Sequence, residues 1–188
     1  FNMGTYIETE RLKLRDWEEK DLLPFQQMNA NRQVRRYFPS LLSYRRSELD
    51  MRKMDEIIKE KGIGLFAVEL KETGEWIGFI GVNYLPKESK YPFKELPLYE
   101  IGWRLIPEVW GNGIATEGAE AVMDYAREKG ITELYSFTSE TNLPSRKVME
   151  KIGMTFLDNF EFPDLSKYHP LKRHVRYYKE LLPSQSEG

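Results

Sequence analysis

The 188-residue chain contains no cysteine, which removes disulfide staples, thiolate nucleophiles, acyl-cysteine intermediates and thiolate-ligated zinc together. Histidine is scarce. His169 and His174 flank Pro170 with only Asp164 nearby, a spacing that matches no metal-ligand pattern, so no metal is expected. An excess of either charge is also missing: 28 Lys and Arg stand against 30 Asp and Glu, a net charge of −2. This offers no general attraction to a phosphate backbone and argues against a nucleic-acid partner. No apolar run approaches the ~20 residues that span a bilayer, and the start lacks a basic-then-apolar signal, so a soluble cytoplasmic protein with no membrane partner is expected. Phe1 and Asn2 precede Met3 and are expected to be a remnant of recombinant expression, and residues 183–188 read as a C-terminal tail.

What is present suffices for one core: 40% of the residues are apolar and 13% aromatic, in a length that suits one domain at ~100–200 residues each. Thr9 to Trp17 alternates Leu12 and Leu14 with Arg11, Lys13 and Arg15, the two-residue period of a half-buried strand. Asp16, with Glu19 three residues on, is placed to cap a helix carrying Trp17, Leu22, Phe25 and Met28. Ser47 to Lys61 sets Leu49, Met54, Ile57 and Ile58 among charges as a second amphipathic helix. Gly64–Leu70 and Trp76–Leu85 read as a hairpin pair, Pro86–Pro97 as a surface excursion, and Leu98–Ile106 as another strand. Over Gly113–Lys129 the residues Ala115, Ala119, Val122, Met123 and Ala126 share one helical face, with Gly130 just past the end. A strand at Leu134–Ser139, a helix at Pro144–Ile152 closed by Gly153, and strands at Met154–Phe160 and His174–Leu182 complete the chain. Hairpins mixed with crossover helices predict an α/β (α+β) fold, one mixed central sheet of about seven strands with helices on both faces.

The stretch that carries chemistry is Tyr99 to Thr116 (YEIGWRLIPEVWGNGIAT), a strand that runs through a short turn with two glycines into the long helix. Gly111 and Gly113 let the backbone approach a ligand, and the unpaired N–H groups of the first helical turn suit a phosphate or pyrophosphate. A P-loop is excluded because Ile114 follows Gly113 where a lysine is needed. A dinucleotide fingerprint requires Thr116 and Glu133 to be forced into its pattern and a strand that opens the domain, whereas three strands and two helices come first. A dinucleotide-binding oxidoreductase is therefore the lesser alternative.

The run PEVWGNGIATEGAEAVMDYA, followed by TSETNLPSRKVMEKIGM, resembles the GNAT superfamily of N-acetyltransferases, in particular its RimJ/RimL-like branch, which acetylates protein N-termini. The opening TERLKLR and the connector before WIGFIG look like the same branch, so the likeness covers Ile7 to about Leu182, read as one N-acetyltransferase domain over 7–182. The resemblance implies a mostly antiparallel sheet of the acyl-CoA N-acyltransferase fold and acetyl-CoA as co-substrate. It puts the pyrophosphate on backbone N–H groups of Trp110, Gly111, Asn112, Gly113, Ile114 and Ala115. It pairs the pantetheine arm with the strand edge at Leu105 and Ile106, and aims one N–H there at the thioester oxygen. It also implies that Asn142 and Ser145 hydrogen-bond the cofactor arm, with Arg146 or Lys147 near its phosphates.

Two positions depart from the family pattern. Glu108 stands where many relatives carry Arg or Gln, and Met149 stands where many carry a tyrosine that protonates the departing thiolate. Methionine has no transferable proton, so either Ser145 fills that catalytic role or the CoA thiolate leaves without a protein acid. Glu100, eleven residues before Gly111, is the candidate catalytic base for the attacking amine, and apolar neighbours are expected to raise its pKa.

Each of these residues also suits an ordinary structural role. Gly111 and Gly113 can form a tight turn, Asn142 a helix N-cap, Ser145 a first-turn residue, and Glu100 an ion pair with Arg104 four positions on. Glu117 suits the positive end of its helix. Phe160 to His174 resembles a late loop that borders the acceptor site in this branch, which makes His174 either a substrate contact or a structural histidine. Arg32 to Lys53 carries seven basic residues against Glu48 and Asp50, an excess of 7 − 2 = +5. That patch suits an acidic acceptor or a solvated helical face, with Tyr37 and Phe38 as groove wall or core. Together these features predict an acetyl-CoA-dependent N-acetyltransferase that passes acetyl directly to a primary amine, on a protein N-terminus or a small molecule, as a monomer or homodimer. The alternative is a catalytically silent acyl-CoA-binding module.

Overall fold

Eight strands form one sheet in the computed structural model, which describes residues 4–183: β1 (Thr5–Glu8), β2 (Leu12–Arg15), β3 (Leu65–Leu70), β4 (Trp76–Leu85), β5 (Leu98–Leu105), β6 (Glu133–Ser139), β7 (Thr155–Glu161) and β8 (Arg173–Glu180). Four helices join them: α1 (Leu22–Asn29), α2 (Tyr44–Lys61), α3 (Ile114–Glu128) and α4 (Leu143–Lys151). The sheet order is β1-β2-β3-β4-β5-β6-β8-β7, and every neighbouring pair is antiparallel except β5 and β6. The expectations for Phe1, Asn2 and residues 184–188 lie outside the described residues.

Alternation along β4 separates the two layers of helices. Ile80 meets α3, where Gly118 lacks the Cβ that would strike its side chain. Phe79 faces the opposite way and packs edge-on against Phe25 of α1, at 6.3 Å between ring centroids. Asn29 at the end of α1 donates to Ser47 Oγ of α2 at 3.0 Å, a buried bond that holds these helices together. α2 begins at Ser43, whose hydroxyl accepts from Arg46 N–H, and ends at Gly62 with φ 72°. Among the described residues no helix is long and apolar enough to cross a membrane.

Three elements differ from the sequence expectation. The sheet has eight strands rather than seven, because the opening strand is a hairpin: Thr9 N–H donates to Leu12 O, and Leu12 N–H to Thr9 Oγ1, both at 3.0 Å. The four residues of β1 are too few to display a period. Asp16 does not cap α1; its N–H donates to Gly4 O, and Glu18 N–H instead donates to Asp21 Oδ2 at 2.8 Å, over a 3-10 turn at Glu19–Asp21. Pro86–Pro97 is not a bare excursion, since Tyr91 and Phe93 stack at 5.4 Å and enter a second apolar cluster with Leu85, Leu98 and Tyr135.

The parallel junction positions the site. β5 and β6 share one registered pair, Glu100↔Tyr135, with Ser136 Oγ donating to Ile101 O at 2.8 Å just beyond it. Past this point the strands part, and the ends of both line one cavity.

Candidate active site

The ladder assigns the donors of β5. Ile106 N–H donates to Ile77 O at 2.9 Å, and with Arg104 opposite Phe79 and Gly102 opposite Gly81 the even-numbered residues turn their N–H groups toward β4. Trp103 and Leu105 therefore direct theirs into the gap beside β6. Of the two residues expected at the open edge, Leu105 lies there, whereas the Ile106 donor is spent on β4.

Beyond β5 a 3-10 turn at Pro107–Val109 leads to Trp110, whose N–H donates to Pro107 O and whose indole Nε1 donates to Leu105 O at 2.9 Å. Trp110 N–H, expected among the phosphate donors, is thus already used. Gly111 at φ 79° and Gly113 at φ 75° then turn the chain into α3 through left-handed conformations that L side chains resist. From Gly111 to Thr116, six successive N–H groups find no acceptor among the described residues. The Asn112 side chain staples this turn, donating to Val109 O and Trp110 O at 3.1 Å each.

A clamp invisible in the motif secures the turn from outside. Arg11, in the β1–β2 connection, donates through Nη1 to Asn112 O at 2.9 Å and through Nε to Glu117 Oε1 at 2.7 Å. Thr9 Oγ1 donates to Glu117 Oε2 at 2.6 Å. Burial acts to raise the Glu117 pKa, but the hydrogen bonds from Thr9 and Arg11 outweigh it and hold the carboxyl below its ordinary range. The partners lie 106 residues apart, beyond the reach of any spacing rule.

Across the gap, Asn142 caps α4: its Oδ1 accepts from Ser145 N–H at 3.3 Å and its Nδ2 donates to Thr138 Oγ1 at 2.9 Å. Ser145 and Lys147 line the cavity, while Arg146 turns away to Glu140 O at 2.9 Å and Tyr177 Oη at 3.2 Å. Met149 is buried in the wall with no proton to give.

The whole cavity measures about 620 Å³ and also receives Glu100, Tyr37, Phe38 and His174. Burial pushes the Glu100 carboxyl up to about 8, against the opposing influence of Arg104 and of Asn83, its partner across the ladder. Burial pushes His174 down to about 4, so its imidazole is neutral near pH 7; it stacks on Phe162 at 4.7 Å between centroids. Tyr91, which nothing in the sequence singled out, lines the same wall, and burial followed by the nearby Glu100 charge raises its phenol pKa. The basic stretch divides. Arg46 pairs with Asp50 and Arg52 with Glu19, both at 3.0 Å in partly or fully exposed positions, whereas Arg35 and Arg36 stack on Phe38 and Tyr37 beside the cavity. Among the described residues no group of three or more His, Asp or Glu side chains is placed to hold a metal.

Residues 11–155 match the family model of the acetyltransferase (GNAT) domain. The chain is 32% identical over 150 residues to an uncharacterized N-acetyltransferase, YnaD, of Bacillus subtilis, covering 79% of this chain and 82% of that one. It superimposes on the crystal structure of an acetyltransferase from Agrobacterium tumefaciens with a TM-score of 0.73 and 28% identity, covering 95% of each chain. A RimL ribosomal-protein α-N-acetyltransferase in complex with coenzyme A shares the fold at a TM-score of 0.71 and 15% identity, over 92% of this chain and 96% of that one.

Proposed function

The chain belongs to the acetyltransferase (GNAT) family and is an N-acetyltransferase, and from that premise we propose that it passes the acetyl group of acetyl-CoA directly to a primary amine within a ternary complex. The observation that carries this reading is that the Gly111–Thr116 run of unpartnered N–H groups and the Glu100 carboxyl open on one cavity. The diphosphate of acetyl-CoA accepts from those N–H groups at the positive end of α3. The pantetheine arm adds to the open edge of β5 as an extra strand, and the Trp103 or Leu105 N–H donates to the thioester oxygen as negative charge develops on it.

Glu100 takes the proton of the acceptor ammonium, directly or through a water. With its pKa near 8, it is matched to base chemistry close to neutral pH. The amine nitrogen then attacks the carbonyl carbon; a C–N bond forms, the C–S bond breaks, and the second proton of the nitrogen passes to the departing sulfur, so that the amide and the CoA thiol leave. A thiolate of ordinary pKa ~8.5 needs no strong acid to depart, and the Ser145 hydroxyl relays that proton, giving its own to sulfur as it takes the one from nitrogen. No acyl-enzyme is required, in keeping with a chain that has no cysteine.

Calorimetric titration with acetyl-CoA, followed by thiol release measured across a panel of amines, tests this reading. Saturable binding with amine-dependent release is expected. Binding with no release for any amine would favour the silent acyl-CoA-binding module.

A further inference from the structure

Two arginines near Phe38 form no ion pair with a carboxylate among the described residues. Arg104 lines the cavity with its guanidinium 4.5 Å from the Phe38 ring centroid and 5.1 Å from that of Phe79, and it makes neither a hydrogen bond nor an ion pair among the described residues. Arg35 is 8% exposed, lies over the same Phe38 ring at 4.3 Å, and makes one hydrogen bond, from Nε to Ser40 O at 3.0 Å. Two acids act on the pair: Asp50, which is engaged with Arg46, and Glu100, which acts on Arg104 without an ion pair. Elsewhere this chain treats buried arginines differently. Arg15, 6% exposed, is bonded to Asp21 and Glu69, and Arg176, 4% exposed, to Asp158 and Glu95. A buried guanidinium without a carboxylate is costly, and Arg35 is one, with the half-buried Arg104 beside it.

The floor between this pair and the proposed base is bare. Glu100, Gly102 and Arg104 alternate onto one face of β5, and a Cβ built on Gly102 would meet nothing within 4 Å. A carboxyl, an open floor and a positive charge therefore follow one another along the strand. Burial, followed by repulsion from Arg35, pushes Arg104 down to about 9, and burial pushes Arg35 down to about 10, so both are cationic at neutral pH.

We propose that Arg104, with the charge of Arg35 beside it, receives a carboxylate carried by the acceptor itself, so that the substrate is an amine-bearing carboxylic acid lying across Gly102 with its amine at Glu100. Planar, fork-shaped guanidinium groups suit a carboxylate better than a point charge would. The proposal rests on the acetyl-transfer reading for the role of Glu100, but the arginine pair is testable without it.

The experiment compares ω-amino acids from glycine to 6-aminohexanoate with alkylamines of matching length in thiol release from acetyl-CoA. The acids are expected to exceed the amines in kcat/KM by about tenfold or more at the best length, the scale of a charge-assisted hydrogen bond. Arg104→Gln is expected to bring that ratio close to one and Arg104→Lys to keep part of it. If Arg104→Gln does not fold, Arg35→Gln, which lies outside the sheet, serves in its place. A tripeptide beginning with Asp, compared with one beginning with Asn, separates the two sources of the carboxylate: a larger preference there than among the free acids assigns it to a peptide N-terminus. A ratio near one in the unaltered protein, for free acids and peptides alike, or a ratio that the substitution leaves intact, overturns the proposal. If acetyl-CoA binds but no amine reacts, calorimetry of the N-acetylated acids against N-alkylacetamides on the CoA complex decides: tighter binding of the acids supports the proposal and equal binding overturns it. Failure to bind acetyl-CoA counts against the acetyl-transfer reading, and the same titration on the free protein then decides the arginine pair alone.

Discussion

On the α3 side of the cavity the polar groups are main-chain donors, held by two left-handed glycines and the Arg11–Glu117 clamp. On the α1–α2 side they are side chains, Glu100 and Arg104, set among aromatic rings, with Arg35 buried against the same Phe38. The first half suits a ligand that never changes, because main-chain donors are the same whatever residue supplies them. The second half can be rewritten one side chain at a time, as suits an acceptor that differs between related enzymes.

Substitutions that affect one half and spare the other test this division. The largest effect is expected for Glu100→Gln, which removes the base and should lower kcat/KM by about 10²–10³-fold while leaving the acetyl-CoA dissociation constant in place. The deprotonated, active fraction of Glu100 increases as pH rises through about 8, so kcat/KM should climb over that range in the unaltered protein. The climb should be missing from Glu100→Gln when both are assayed with the same amine. A comparable loss of acetyl-CoA affinity in this variant would break the division. Next comes Gly111→Ala. Nothing lies within 4 Å of the added Cβ, so its cost is the left-handed backbone at φ 79°, ~1–2 kcal/mol. Calorimetry should show acetyl-CoA affinity weakened by about tenfold, with preference among acceptors unchanged. Smallest is Arg11→Met: at 43% side-chain exposure its ion pair is open to solvent and screened. About a threefold rise in KM for acetyl-CoA is expected, with kcat unaffected and the difference from the unaltered protein shrinking at high salt.

The same division explains what was legible in the sequence. The glycine turn lies within one stretch from Tyr99 to Thr116, and the boundaries of α3 follow from Gly113, the apolar face from Ala115 to Ala126, and Gly130. Local geometry is what glycine spacing encodes. Whether Leu105 or Ile106 faces the gap depends instead on which way β4 pairs, a fact held by Ile77, almost thirty residues away in the chain. Asn142 reads as a cofactor contact before a helix cap, and its Oδ1 is found capping Ser145 N–H. The other half of the cavity is assembled from the loop after α1, the strands β4 and β5, Tyr91 and the residues around β8, which share no motif. The excess of basic residues over Arg32–Lys53 was visible, but only packing separates Arg35, buried against Phe38, from Arg46 and Arg52, paired in more open positions.

The strand order carries a consequence for how the molecule is made. β8 lies between β6 and β7, so during synthesis β6 waits for its second neighbour until residues 173–180 have emerged. The first five strands pair in the order in which they are made, β2 with β3 across α1 and α2, and can assemble as they appear, whereas His174 and the wall it completes arrive last. A nascent chain can thus carry the phosphate turn well before it can enclose an acceptor, and a product cut short before β8 would retain the glycine motif without a finished site.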